Sequence, residues 1–95
     1  MADLNASLKD LMTIDGAQAV ALVDYNSGML LGEAGTGVDM EVAAAGNTEV
    51  IRAKRRVASQ LGITDGIEDI LITLGKQYHL IRPLESNNDL FLYVV

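Results

Sequence analysis

The sequence predicts an α+β domain: a short helix, a two-strand hairpin, one long helix and three further strands. Three observations carry that reading. One stretch, residues 40–61, repeats its apolar residues with helical period. Short β-branched and apolar runs on either side of it are punctuated by Asp-Gly, Gly-Lys and Asn-rich turns. The 95 residues, 49% hydrophobic and 21% charged, suit one domain with one core.

The elements follow in chain order. Leu4, Leu8, Leu11 and Met12 share one face of the first helix. Asp3 is its expected N-cap, and Asp15-Gly16 marks the turn after it. Residues 17–24 read as a strand covered on both faces, because apolar side chains fall at positions of both parities. Asp24-Tyr25-Asn26-Ser27-Gly28 is a hairpin turn in which Gly28 supplies a positive φ, and residues 29–33 return. Residues 32–37 read as a flexible connection. Asp39 should cap the long helix, and Gly62 should stop it.

At about 100° per residue, Val42, Gly46, Val50, Ala53, Val57 and Leu61 form a tight stripe expected to pack on the sheet. Met40, Ala44, Asn47, Ile51 and Ala58 form a second face, small and mostly apolar. A domain this short has one sheet to offer, so this second face is expected to meet another copy of the chain. The third face, with Thr48, Glu49, Arg52, Arg55, Arg56 and Ser59, is expected to be wet. After the Thr64-Asp65-Gly66 turn, residues 67–74 form a strand with Ile70, Ile72 and Leu74 on one side. Gly75-Lys76 turns the chain into residues 77–84, where Pro83 sits near the strand end and its missing N–H costs least. Ser86-Asn87-Asn88-Asp89 is the next turn. Residues 90–95 are apolar enough for the middle of the sheet.

The formal net charge is −6. That balance disfavours nucleic acid and anionic membranes, because no general basic field meets their phosphates. With no cysteine, disulfides, zinc thiolates and thiol catalysis are excluded. The start, MADLNASLKD, is acidic and polar rather than basic and then apolar, and no apolar run approaches the roughly 20 residues of a bilayer span. A cytoplasmic setting is expected.

Residues with chemical potential are few. His79, the one histidine, reads as a sheet-face residue, since a lone histidine makes neither a metal site nor a triad. Glu68 and Asp69 are adjacent, so in a strand they point to opposite faces and cannot act as a carboxylate pair. Gly32, Gly35 and Gly37 precede a helix start, as phosphate loops do. No Gly-Lys-Ser/Thr follows them, and Asp39 would repel phosphate. The basic cluster Arg52, Lys54, Arg55 and Arg56 reads either as a solvated helix face with pairs such as Glu49–Arg52 or as a docking patch for an acidic partner or lipid headgroup. No set of residues supplies nucleophile, base and orienter together, so no enzyme and no cofactor is expected.

Three segments carry a resemblance: DGAQAVALVDYNSGMLLGEAG at 15–35, the long helix, and IEDILITLGKQYHLIRPLESNNDLFLYVV at 67–95. In element order and local sequence the chain resembles the roadblock/LC7 family, over nearly its whole length. The resemblance implies a profilin-like α/β sandwich: a five-stranded antiparallel sheet of order 2-1-5-4-3, the long helix on one face and the first helix on the other. It implies a homodimer with the long helices antiparallel and the third strands paired, which makes Ile70 and Ile72 expected seam residues. The family's last helix would follow Val95 and is missing here, so part of one sheet face is expected to be open. The family's members are non-catalytic partners of Ras-like GTPases or subunits of motor and scaffold complexes, and the bacterial ones often occur beside a GTPase. The leading expectation is therefore a homodimeric GTPase adaptor or regulator, contacting its partner through Arg52, Arg55 and Arg56. A structural scaffold subunit and a small-ligand sensor are the competing classes.

Overall fold

The structure, a computed structural model, describes residues 4–85, 87 and 89–95. The expected cap Asp3 lies outside these residues, as do Ser86 and Asn88 of the expected turn before the last strand. Helix α1 spans Leu4–Leu11 and buries Leu8. Strands β1 (Ala19–Asp24) and β2 (Met29–Gly35) form an antiparallel hairpin. Asp24 builds its turn: one carboxylate oxygen accepts from the Asn26 N–H at 3.1 Å and the other from the Ser27 hydroxyl at 2.9 Å. The Gly28 N–H closes onto the Asp24 carbonyl at 2.8 Å, with Gly28 at φ 73°. Only glycine adopts that backbone without a steric cost.

Strand β2 runs to Gly35, two residues beyond the expected end. The glycines taken for a loose connection are packing sites. A Cβ on Gly32 would lie 2.9 Å from Leu4 and 3.0 Å from Leu8, and one on Gly35 would lie 2.6 Å from the Ala19 Cα. Gly32 is thus the seat of α1 on the hairpin.

Asp39 caps α2 (Met40–Gln60), accepting from the Val42 N–H at 3.3 Å, a contact worth about 1 kcal/mol. At the far end Gly62, at φ 75°, donates to the Ser59 carbonyl and Ile63 to the Ala58 carbonyl, a Schellman-type close. Strands β3 (Ile70–Thr73), β4 (Tyr78–Pro83) and β5 (Leu90–Val94) complete one antiparallel sheet of order β2-β1-β5-β4-β3. β3 starts three residues later than expected, after the polar Glu68 and Asp69. Its pairing with β4 reaches only Ile81, so the missing N–H of Pro83 breaks no rung between them.

Ala19, Ala21, Val23, Phe91, Tyr93 and Ile81 pack beneath α2 with Met40, Ala44 and Ile51. The opposite sheet face carries α1 over β2 and β1 only. Leu71 faces Leu80, Leu80 faces Val94 and Leu22 faces Leu92 across the ladders. Leu71 is exposed and the others half-buried. Among the described residues no helix lies over that half.

Candidate functional site

The long helix is where sequence and structure part. Met40, Ala44 and Ile51 were expected to meet a second copy, yet they are 4%, 1% and 0% exposed, buried against the chain's own sheet. Asn47 and Ala58 are half-buried on the same side. Met40, Ala44 and Ile51 therefore have no free surface to offer a second copy. The stripe expected on the sheet divides: Val50 packs against the core and Ala53 is half-buried, while Val42 is 68%, Leu61 66% and Val57 38% exposed. Gly46 is exposed too, and a Cβ added there would meet nothing within 4 Å.

Helical period places apolar residues on two faces but does not say which one the sheet takes. Two polar side chains decide it here. Thr48, expected to be wet, is 1% exposed, because its hydroxyl donates back to the Ala44 carbonyl at 2.7 Å and so loses nothing by burial. Asn47 reaches the Tyr93 hydroxyl. A residue read only by its polarity hides this route into a core.

Tyr93 anchors a polar chain between helix and sheet. Its hydroxyl lies 2.8 Å from His79 Nδ1, and His79 Nε2 lies 3.0 Å from Gln77 Oε1. Gln77 Nε2 in turn donates to Gln18 Oε1 at 3.1 Å. Since Gln77 Oε1 can only accept, His79 donates to it from Nε2. The Tyr93 hydroxyl thus lies between His79 and Asn47. The rings of His79 and Tyr93 stand edge to face at 5.4 Å. Burial pushes the Tyr93 phenol above its ordinary pKa of 10.0, opposed in part by the Asn47 hydrogen bond. His79 is the sheet-face residue expected, with a structural set of partners.

The three arginines of the expected partner patch divide. Arg52 is tied down: Nη1 bonds Glu49 at 2.6 Å, and Nη2 bonds the carbonyls of Asn26 at 3.2 Å and Tyr25 at 3.5 Å. It braces the hairpin turn against α2. Arg55 lies over the Tyr25 ring, 4.3 Å from its centroid, a cation–π contact. Arg56 is exposed, as is Lys54. Ile70 and Ile72 are half-buried against the core, while β3, which carries them, forms one edge of the sheet. Asp69 pairs with Arg82 at 2.9 Å and Glu68 is exposed. Among the described residues, no helix is long and apolar enough to cross a membrane.

A five-stranded antiparallel sheet, a long helix on one face and a short helix on the other define an α/β sandwich. The fold is that of the roadblock/LC7 domain. A roadblock/LC7 domain from Streptomyces avermitilis superposes with a TM-score of 0.84 at 15% identity, covering 98% of this chain and 77% of that one. MglB of Myxococcus xanthus follows at 0.81 and 24% identity, over 95% of this chain and 72% of its own. The gliding protein MglB from Thermus thermophilus gives 0.77 and 16%, over 94% and 67%. No family model and no curated sequence matches the chain. At these identities the likeness establishes the fold.

Proposed function

We propose that the chain is a non-enzymatic, homodimeric adaptor or regulator of a small Ras-like GTPase, working in the cytoplasm. The observation that carries the dimer is the outward strip of α2. Val42, Gly46, Val57 and Leu61 put an apolar band on the surface, and bands of this kind mark association sites. Gly46 lets a second helix approach closely. Two copies related by a two-fold axis would lay these strips together. The edge strand β3 supplies a further row of backbone groups for pairing. The dimer thus uses the opposite side of α2 from the one the sequence suggested.

The GTPase is supported by the roadblock/LC7 fold and by the resemblance of the three segments. Arg56 and Lys54 are exposed beside the strip, while Arg52 positions the hairpin. Sedimentation of the purified chain tests the dimer. Binding to the Ras-like GTPase encoded nearest to it, loaded with GDP or with a GTP analogue, tests the partner. A dimer that prefers one nucleotide state is expected. Failure to bind either state sinks the regulator and leaves the scaffold.

A further inference from the structure

Charge along α2 and its cap is ordered as well as apolarity. The acids Asp39, Glu41 and Glu49 precede every base, and Arg52, Lys54, Arg55 and Arg56 follow with no acid among them. Helical period sets Glu49 and Arg56, two turns apart, along one edge of the strip of Val42, Gly46, Val57 and Leu61. Both are exposed. Arg52 takes Glu49 Oε1 at 2.6 Å, yet the Glu49 side chain is still 69% exposed, and a carboxylate has a second oxygen to offer. Arg56 makes no ion pair among the described residues.

A two-fold axis passing between two such helices, level with the Arg52–Ala53 bond, runs them antiparallel and brings like edges together. On the charged edge it sets Glu49 level with the second copy's Arg56, and Arg56 level with the second copy's Glu49. On the apolar edge it sets Leu61 level with the gap between the second copy's Val42 and Gly46. Val57 falls level with the gap between the second copy's Gly46 and Val50. Side chains that meet gaps can interdigitate, so one register serves both edges. Small Ala53 lies at the crossing and lets the helices come close. A parallel pair brings opposite edges together and leaves Glu49 and Arg56 facing the apolar band.

We propose that Glu49 and Arg56 form two reciprocal ion pairs with a second copy of the chain. The pairs set the register of the dimer and restrict it to helices with this order of charge. Apolar contact is non-directional and selects neither; complementary charge selects both. The proposal rests on the dimer reading above and names the residues that choose the partner. Arg56, expected at the GTPase surface, is then spent within the dimer.

Sedimentation equilibrium of the purified chain, of Arg56→Glu, of Glu49→Arg and of an equimolar mixture of the two variants tests the pairs. The wild type should dimerise. Each variant alone should dimerise at least about tenfold more weakly, because both symmetric contacts change from attraction to repulsion. The mixture sets every acid against a base again. It should form heterodimers within about threefold of the wild-type affinity, and that rescue also shows that both variants are folded. Undiminished dimerisation of Arg56→Glu, or a mixture that associates no better than its components, would overturn the pairs and leave the dimer standing. A wild type that stays monomeric at every concentration would overturn the dimer and the pairs together.

Discussion

The two sides of α2 are nearly matched in apolar content and opposite in fate. Inward, Met40, Ala44, Thr48 and Ile51 are almost fully buried. Outward, Val42, Val57 and Leu61 remain in contact with solvent. The difference lies in what each side can offer the sheet beneath. Phe91 and Tyr93, each 1% exposed, bring aromatic bulk to the inner face, and only small side chains such as Ala44 leave room for it. Tyr93 also brings a hydroxyl that needs a partner, and Asn47 supplies one. Apolarity alone would let either side dock. Complementary volume and one satisfied polar pair select the inner side, and the outer strip is left for another surface.

Truncating the buried side should break the comparison most strongly. Ile51→Ala is expected to cost about 2–5 kcal/mol, read as a lower denaturant midpoint, because the cavity it opens is fully enclosed. Next comes Tyr93→Phe, which strands His79 and Asn47 without their hydroxyl partner and should cost about 1–3 kcal/mol. The same phenol predicts a pH effect. Its folded pKa is raised above the ordinary 10.0, so its contribution is fully present below pH 10.0 and is lost as pH rises through the folded value. Denaturation curves taken across that range should fall for the wild type and fall less for Tyr93→Phe.

Removing the helix cap, Asp39→Ala, should cost about 1 kcal/mol. On the outer side, Val57→Glu with Leu61→Glu should change the stability of the monomer by no more than about 0.5 kcal/mol. Sedimentation of that variant should nevertheless show monomers. If it still sediments as a dimer, the outward strip is not the interface and the two sides of the helix differ less than the structure implies.

Most of the architecture was legible from residue pattern. The helix caps Asp39 and Gly62, the Asp24–Gly28 turn and the five strands all announce themselves by local chemistry. Strand order was legible only through resemblance to known folds, since register and neighbours depend on contacts far apart in the chain. The facing of α2 was not legible, because burial of Thr48 depends on a bond to its own helix and burial of Asn47 on a phenol 46 residues away. Gly32 and Gly35 carry the same lesson. Glycine runs read as loose chain, while here they are the places where α1 and β1 come too close for any side chain. The basic cluster looked uniform in sequence. The structure separates Arg52, which is tied to backbone carbonyls and to Glu49, from Arg55, which touches only a ring.

The polar chain from Asn47 through Tyr93 to His79 has a practical use. The protein contains one histidine, and it sits where the helix meets the sheet. Its carbon-bound Hε1 resonance, the one histidine line of its kind, should therefore report whether α2 is seated. Any ligand, partner or substitution that lifts the helix should move that one line, and the unlabelled native chain carries its own spectroscopic probe.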